Sequence, residues 1–492
     1  MGGCQQGDQN KPDVRCRLVA QEVNTYREDA FFAATPPLEA IRLLLSHVAS
    51  GRTGKRGGRK VMVLDAKKAH LHAFAEREIY IELPPERRKP GVCGRLIRCL
   101  YGTRDAPALW ERFHGSQLEA IGFERGQANP CLFRHRSRDL IVVVHGDDFS
   151  FAGAEADLEW VSGELESRIL LKRVGTLGGD SWDLKELRVL NRVLRWRGWG
   201  IAYEADPRHA ELLAKALGPG ATSRSTPGVK AGGVAATATG GGIGGTPLSW
   251  GEARLFRAHA ARANYLGMDR PDIAFAAKEL CRRMSSPTTA DLDAIRRLAQ
   301  YLVGSPRLVY SFPWQEQAGL KVFVDTDFAG CHETRKSTSG GVLCRGAHVI
   351  KHWSTTQKCI TLSSGEAELG GLVKGVAEGL GAQALAADMG LDLSLSVHAD
   401  SSAAIGICRR SGIGRVRHLA VGQLWIQSHL RTGAFALYKV RGEFNPADLC
   451  TKHLARPVLD RLLGQIGVAR EHGRAETAPE ATAEIEPIPG CA

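Results

Sequence analysis

Ile141-Val142-Val143-Val144-His145-Gly146-Asp147-Asp148-Phe149 is the stretch that decides how this chain is read. A run of β-branched residues, the composition of a buried strand, breaks at a glycine and delivers two adjacent carboxylates. Consecutive strand side chains point to opposite faces, so neighbouring Asp residues normally diverge. A tight turn at Gly146 lets both approach one cation. Upstream, Val61-Met62-Val63-Leu64-Asp65 is a second apolar strand ending in a carboxylate. Together these suggest a two-metal site that positions a hydroxyl and a triphosphate for in-line displacement. Taken singly, an Asp pair after a strand equally describes a solvated turn.

The chain of 492 residues is long enough for roughly two to four domains, each with its own core. Its hydrophobic content of 43% and charged content of 24% are those of a globular protein. A formal charge of +12 favours a polyanionic partner. The twelve cysteines include no Cys-x-x-Cys pair and no zinc spacing, which reads as reduced thiols inside a cell. No apolar run approaches the length of a membrane span, so no membrane partner is expected.

Periodicity and composition divide the chain. Residues 1–14 read as a disordered start. From 15 to 217, strand-like runs mix with helical ones at Leu38 to Val48, Ala108 to Ile121 and Ala154 to Leu170. Residues 218–248 form a Gly-rich linker that cannot bury a core. A helical stretch fills 249–318. From 319 to 455, strands near 321–324, 341–345 and 348–353 precede a long helix near 363–389, then strand, helix, helix, strand and a short helix. The tail, 456–492, starts helical and becomes Ala/Glu/Pro-rich past Glu471, a mostly disordered composition. The fold class is therefore α/β and α+β, in several domains.

The C-terminal third carries a second set of acids. Asp325 ends or interrupts a strand, Glu368 lies in the first turns of the long helix, Asp400 follows the strand from Leu395, and Asp448 begins the final short helix. Four carboxylates from separate elements can converge on two divalent ions, one activating water and the other stabilising the leaving oxygen. Acids at helix starts are also favoured by the helix dipole alone.

Both constellations lie within an ordered series of motifs. Arg17-Leu18-Val19-Ala20, Leu64-Asp65-Ala66-Lys67-Lys68-Ala69, Leu100-Tyr101-Gly102-Thr103-Arg104-Asp105-Ala106-Pro107 with Trp110, and His145-Gly146-Asp147-Asp148 come first. Arg270-Pro271-Asp272-Ile273-Ala274, Arg335-Lys336-Ser337-Thr338-Ser339-Gly340, Ser363-Ser364-Gly365-Glu366-Ala367-Glu368 and Ala447-Asp448-Leu449-Cys450-Thr451-Lys452 follow. In this order they resemble the reverse transcriptase–RNase H portion of the Pol polyprotein of copia-type long-terminal-repeat retrotransposons.

The resemblance implies a right-hand polymerase with fingers, palm and thumb over 15–217, a helical connection over 249–318, and an RNase H-like mixed β-sheet with helices over 319–455. It implies that Asp65, Asp147 and Asp148 bind two magnesium ions (or manganese) in the palm, and that Arg17 meets the incoming triphosphate. Asp325, Glu368, Asp400 and Asp448 correspond to the ribonuclease H tetrad, also with two ions. The implied partners are an RNA template, a DNA primer, an RNA–DNA hybrid and deoxynucleoside triphosphates. The setting is intracellular, in a cytoplasmic particle or the nucleus. Arg95, Arg98, Arg104, Arg282, Arg283, Arg415 and Arg417 are candidates to track a phosphate backbone, and His418 to aid product release or order a loop.

The chain also departs from the family pattern. His145-Gly146 replaces the usual Tyr-Val, Asp105 a common Gln, and Gly365 a usual Thr. His70 stands where the family places an aromatic that screens out ribonucleotides, so weaker rejection is expected. No aspartic-protease Asp-Ser/Thr-Gly motif and no integrase zinc motif is present. The expected activity is DNA polymerisation on RNA or DNA with hydrolysis of RNA in hybrids. The alternative is a decayed retrotransposon relic that binds nucleic acid or retains RNase H activity only.

Overall fold

A computed structural model describes residues 2–8, 11–23, 31–51, 58–229, 245–414, 421–481 and 484–490, with side chains from Leu18 onward apart from Val421 and Gln423. Two compact units emerge: Met1–Ile41 with Gly58–Thr176 and Asp388–Gly390, and Arg42–Gly57 with Leu177–Ala387 and Leu391–Ala492. Arg415, Arg417 and His418 lie outside the described residues.

In the first unit, β1 (Lys60–Ala66), α1 (Ala106–Ala120), β2 (Glu124–Arg125), β3 (Leu132–His135), β4 (Leu140–His145), β5 (Asp148–Gly153), α2 (Glu155–Glu166) and β6 (Leu171–Leu177) follow in order. The strands form one sheet in the order β6-β1-β5-β4-β3-β2. Residues 140–144 of β4 are all buried, as an apolar central strand requires when covered on both faces. Leu118 and Trp110 of α1 join Leu158, Val161 and Leu165 of α2 in the core against Met62, Leu64, Val142 and Phe149. The N-terminal segment expected to be disordered contains the paired strands Gly2–Asp8 and Lys11–Arg17. Ladder hydrogen bonds join main chains, so a polar composition does not forbid them.

The second unit holds two five-stranded sheets. β7 (Glu186–Val189), β8 (Arg192–Arg197) and β9 (Gly200–Glu204) are followed by helices α3 (Pro207–Lys215), α4 (Trp250–Gly267), α5 (Ala274–Arg282) and α6 (Thr289–Gly304), then β10 (Arg307–Pro313). Next come β11 (Leu320–Thr326), β12 (Thr338–Arg345), β13 (His348–Thr356), α7 (Ser364–Asp388), β14 (Leu395–Ala399), α8 (Ser402–Arg409), α9 (Val421–Arg431) and β15 (Ala436–Lys439). A 3₁₀ turn at Pro446–Cys450, α10 (Arg456–Gln465) and β16 (Val468–Glu471) close the series. One sheet runs β7-β8-β9-β10-β16 and the other β13-β12-β11-β14-β15.

These pairings differ from three of the expected boundaries. The break falls after Thr176 rather than at 217, because β9 pairs with β10 across more than a hundred residues, Gly200 opposite Pro313. The stretch 249–318 is helical only as far as Gly304 and ends in that strand. In the tail, β16 pairs with β10, Ile488 is fully buried, and its N–H donates to Ala216 O at 2.8 Å. The strand pattern beyond residue 319, by contrast, follows the alternation read from sequence.

A buried charge cluster braces this unit. Asp269 accepts from Arg42 Nη2 at 2.7 Å, Arg192 Nη2 at 2.9 Å and the Tyr203 hydroxyl at 2.5 Å, all out of solvent. Arg270 and Asp272 pair at 2.7 Å beside the Tyr301 hydroxyl. Two of the motif residues quoted above are therefore structural. Breaking a buried pair strands its partner charge, so Asp269→Ala should lose about 3–5 kcal/mol of stability, read as a fall in denaturation midpoint.

Candidate functional site

In the first unit, the β4–β5 hairpin presents the Asp pair. His145 is paired with Asp148, leaving Gly146 and Asp147 as a two-residue turn. Gly146 has φ +64°, the left-handed value that a type II′ hairpin turn requires at its first central position, where glycine is the favoured residue. The departure from Tyr-Val thus suits the turn. Trp110 of α1 donates from Nε1 to Gly146 O at 2.8 Å, fixing the turn from behind. That hydrogen bond is a positioning contact that motif reading did not assign.

Asp65 lies directly opposite Asp148 across β1 and β5. Ala66 N donates to Asp147 O at 2.8 Å, which makes the Asp65–Asp148 pair the non-hydrogen-bonded, closer kind. Like charges in that position repel. Burial, then the charges of Asp147 and Asp65, push the Asp148 carboxyl up to about 6. Asp147 sits on the exposed tip of the turn.

His70 lies in a 3₁₀ turn, Ala69–His72, with its ring centroid 4.5 Å from that of Tyr101. Burial lowers its pKa against the pull of the Asp147 charge. Arg17 ends the strand Lys11–Arg17, and its side chain is not among those described. Asp105, at the position common to Gln, accepts from Arg77 at 2.9 and 3.0 Å, while Arg77 also reaches Glu22 at 3.0 Å.

The second cluster lies wholly in the second unit. Asp325 is on β11, and Asp400 follows β14, whose parallel register sets Val324 beside Ala399. Glu368 arrives on α7. Gly371, Gly375 and Gly379 form a stripe at four-residue spacing, and a Cβ there would overlap Thr326, Val324 and Leu395. The bare stripe lets the helix press onto the sheet and brings Glu368, one turn earlier, to the strand ends. Ligand oxygens of Asp325, Glu368 and Asp400 all lie within 4.8 Å of one another.

Asp448 sits in the turn Pro446–Cys450. Asn445, fully buried, pins that turn: its Nδ2 donates to Val324 O at 2.8 Å and its Oδ1 accepts from Ala447 N at 3.2 Å. Lys452 Nζ lies 2.7 Å from Asp448 Oδ1 and 3.4 Å from Asp325 Oδ2. Burial, then the charges of Asp325 and Asp400, push Glu368 up to about 8. Burial and Asp325 push Asp448 up to about 6, and Asp400 is raised for the same reasons.

Both clusters offer carboxylate oxygens, the donor type that magnesium and manganese take. Glu368 Oε2 is buried without a hydrogen-bond partner, an oxygen that a bound cation would satisfy. Elsewhere, at least four of the basic candidates are engaged internally: Arg95 with Glu78 at 3.3 Å, Arg98 with His72 O, Arg282 with Glu279 at 2.9 Å, and Arg283 with Glu333. Asn445, the hydrogen bond of Trp110 and the glycine stripe escaped motif reading. Of these, the stripe had a visible signal in its four-residue period.

Comparison with known proteins agrees with the motif order. Residues 4–178 match the family described as "Reverse transcriptase (RNA-dependent DNA polymerase)". The chain is 26% identical over 470 residues to the "Retrovirus-related Pol polyprotein from transposon RE1" of Arabidopsis thaliana, covering 93% of this chain and 30% of that protein. To the corresponding polyprotein from transposon TNT 1-94 of Nicotiana tabacum it is 26% identical over 481 residues, covering 91% of this chain and 34% of that one. It thus spans about a third of the length of these relatives. A foamy viral protease-reverse transcriptase in complex with RNA/DNA hybrid aligns with a TM-score of 0.47 at 11% identity, covering 83% of this chain and 46% of that chain. On the sequence matches, residues 4–178 form a reverse transcriptase region, and the chain is similar along nearly its whole length to part of the copia-type retrotransposon Pol polyproteins.

Proposed function

We propose that the chain is an RNA- and DNA-directed DNA polymerase that also hydrolyses RNA in RNA–DNA hybrids, serving retrotransposon replication. The observation that carries this reading is the in-register apposition of Asp65 and Asp148 beside the Gly146–Asp147 turn, inside the segment that matches the reverse transcriptase family. Asp65, Asp147 and Asp148 would hold the polymerase magnesium ions, with manganese as substitute. Asp325, Glu368, Asp400 and Asp448 would hold those of the hydrolase. When bound, such ions lower the pKa of an attacking hydroxyl or water and neutralise charge on the phosphate being transferred. The chain's own contribution is placement. Trp110 holds the turn that carries Asp147, and Asn445 holds the turn that carries Asp448. Arg17 is the proposed partner of the incoming deoxynucleoside triphosphate.

His70 is the proposed sugar discriminator. Its imidazole is smaller and more polar than the aromatic of copia-type relatives, and leaves more room for a 2′-hydroxyl. His70→Phe should raise the preference for deoxyribonucleotides over ribonucleotides about tenfold, the scale of one lost packing contact. Single-nucleotide incorporation ratios measure it, and unchanged ratios would remove His70 from the account.

The reading as a whole is tested by extending a labelled DNA primer on an RNA template with magnesium, beside an Asp147→Asn control. Extension that disappears in the control is the expected result. No extension from demonstrably folded protein would leave a hydrolase-only or inactive chain.

A further inference from the structure

The four acids of the second unit are not equivalent. Asp325, Glu368 and Asp400 bring their oxygens within 4.8 Å of one another, and Asp448 stands outside that group. The ammonium of Lys452 touches both Asp448 and Asp325, 2.7 Å from one carboxylate and 3.4 Å from the other. The Thr451 hydroxyl donates to the same Asp325 Oδ2. One side of Asp325 thus faces a fixed cation and a hydroxyl donor. The other side faces two carboxylates, and Glu368 Oε2 there has no partner.

We propose that Lys452 is a resident counter-ion that holds the second cation position of this centre, so that the chain takes up one divalent ion readily and a second only by displacing Lys452. The inference rests on reading the four acids as a metal centre. An ammonium paired with both Asp325 and Asp448 neutralises the charge that would attract a second ion, and it repels a dication by direct Coulomb interaction. The Lys452 side chain is 47% exposed, so its flexible stem can swing the ammonium into solvent when an ion arrives. The site with a fixed cation keeps a standing attraction for one oxygen of Asp325, while the three-acid side keeps its free capacity for the first ion.

Manganese titration by calorimetry tests this on the full chain carrying Asp148→Asn to weaken the polymerase centre. Three versions are compared: Lys452 retained, Lys452→Gln and Lys452→Arg. The proposal predicts that Lys452→Gln tightens the weaker of the ions lost on Glu368→Gln by tenfold or more. Lys452→Arg, which keeps the charge, should leave it weak. Equal affinities in all three overturn the role of Lys452 while leaving the metal centre standing. If Glu368→Gln removes no manganese from any version, the metal centre itself falls, and the Lys452 assignment with it.

Discussion

Asp148→Asn should lower primer extension on the order of 10³-fold, the scale on which removal of a charge-stabilising group acts, and leave hydrolysis of RNA in a hybrid unchanged. Asn keeps the shape of Asp and loses its charge. Asp148 is the acid that meets Asp65 across the ladder, so its loss halves the charge of that facing pair. The same change should not unfold the protein. Neutralising one of two opposed like charges removes a repulsion worth about 0.2–1 kcal/mol, so the melting temperature should hold or rise slightly. Lost extension with an undiminished melting temperature separates this outcome from misfolding. Retained extension would mean that the hairpin is no more than a solvated turn.

Glu368→Gln should lower hybrid hydrolysis by a comparable factor and spare extension. It carries a second signature. In the metal-free protein Glu368 is pushed up to about 8, from an ordinary 4.5, so the folded chain keeps a proton that the unfolded chain has released. Folded stability is then full at low pH, falls as pH rises from about 4.5 to about 8, and levels above it. Glu368→Gln should flatten the fall above about pH 6.5; below it Asp448 and Asp148 add to the fall, while the buried His114, His348, His352 and His453, pushed down to about 3 to 4 by burial, oppose it. Melting temperatures in chelator between pH 5 and 8.5 measure it. Added manganese should recover the lost stability in the unsubstituted chain, because the ion takes the place of the proton. A pH slope identical in both chains would show that Glu368 does not face Asp325 and Asp400 as described.

Much of this was legible before any coordinate. The run from Ile141 to Phe149 identifies a central strand, a glycine turn and two acids, and β4, the Gly146–Asp147 turn and β5 lie there. The alternation after residue 319 likewise yields the strands and the long helix in order. What local pattern does not carry is pairing between distant segments. Nothing around Asp65 says that its partner in register is Asp148. Nor does the composition of 186–204 say that it joins a sheet with 307–313 and 468–471, which moves the division of the chain to Thr176. The tail misled because Ala, Glu and Pro are typical of disorder, while its buried Ala475, Ala478 and Ile488 depend on a surface built by the rest of the unit. Asp269 was read past for a similar reason: a lone acid just before a motif does not announce its pairing with Arg42 and Arg192, far off in sequence. Asn445 and Trp110 hold their turns through side-chain hydrogen bonds, and hydrogen-bond partners have no periodicity to read.

The most direct test uses one substrate for both reactions: a 5′-labelled DNA primer on an RNA template labelled with a second dye, with magnesium. The unsubstituted chain should lengthen the primer and shorten the RNA. Asp148→Asn should only shorten the RNA, and Glu368→Gln should only lengthen the primer. Loss of both reactions in either variant that keeps its fold, or no dependence on either carboxylate, would contradict two separate carboxylate centres in this chain.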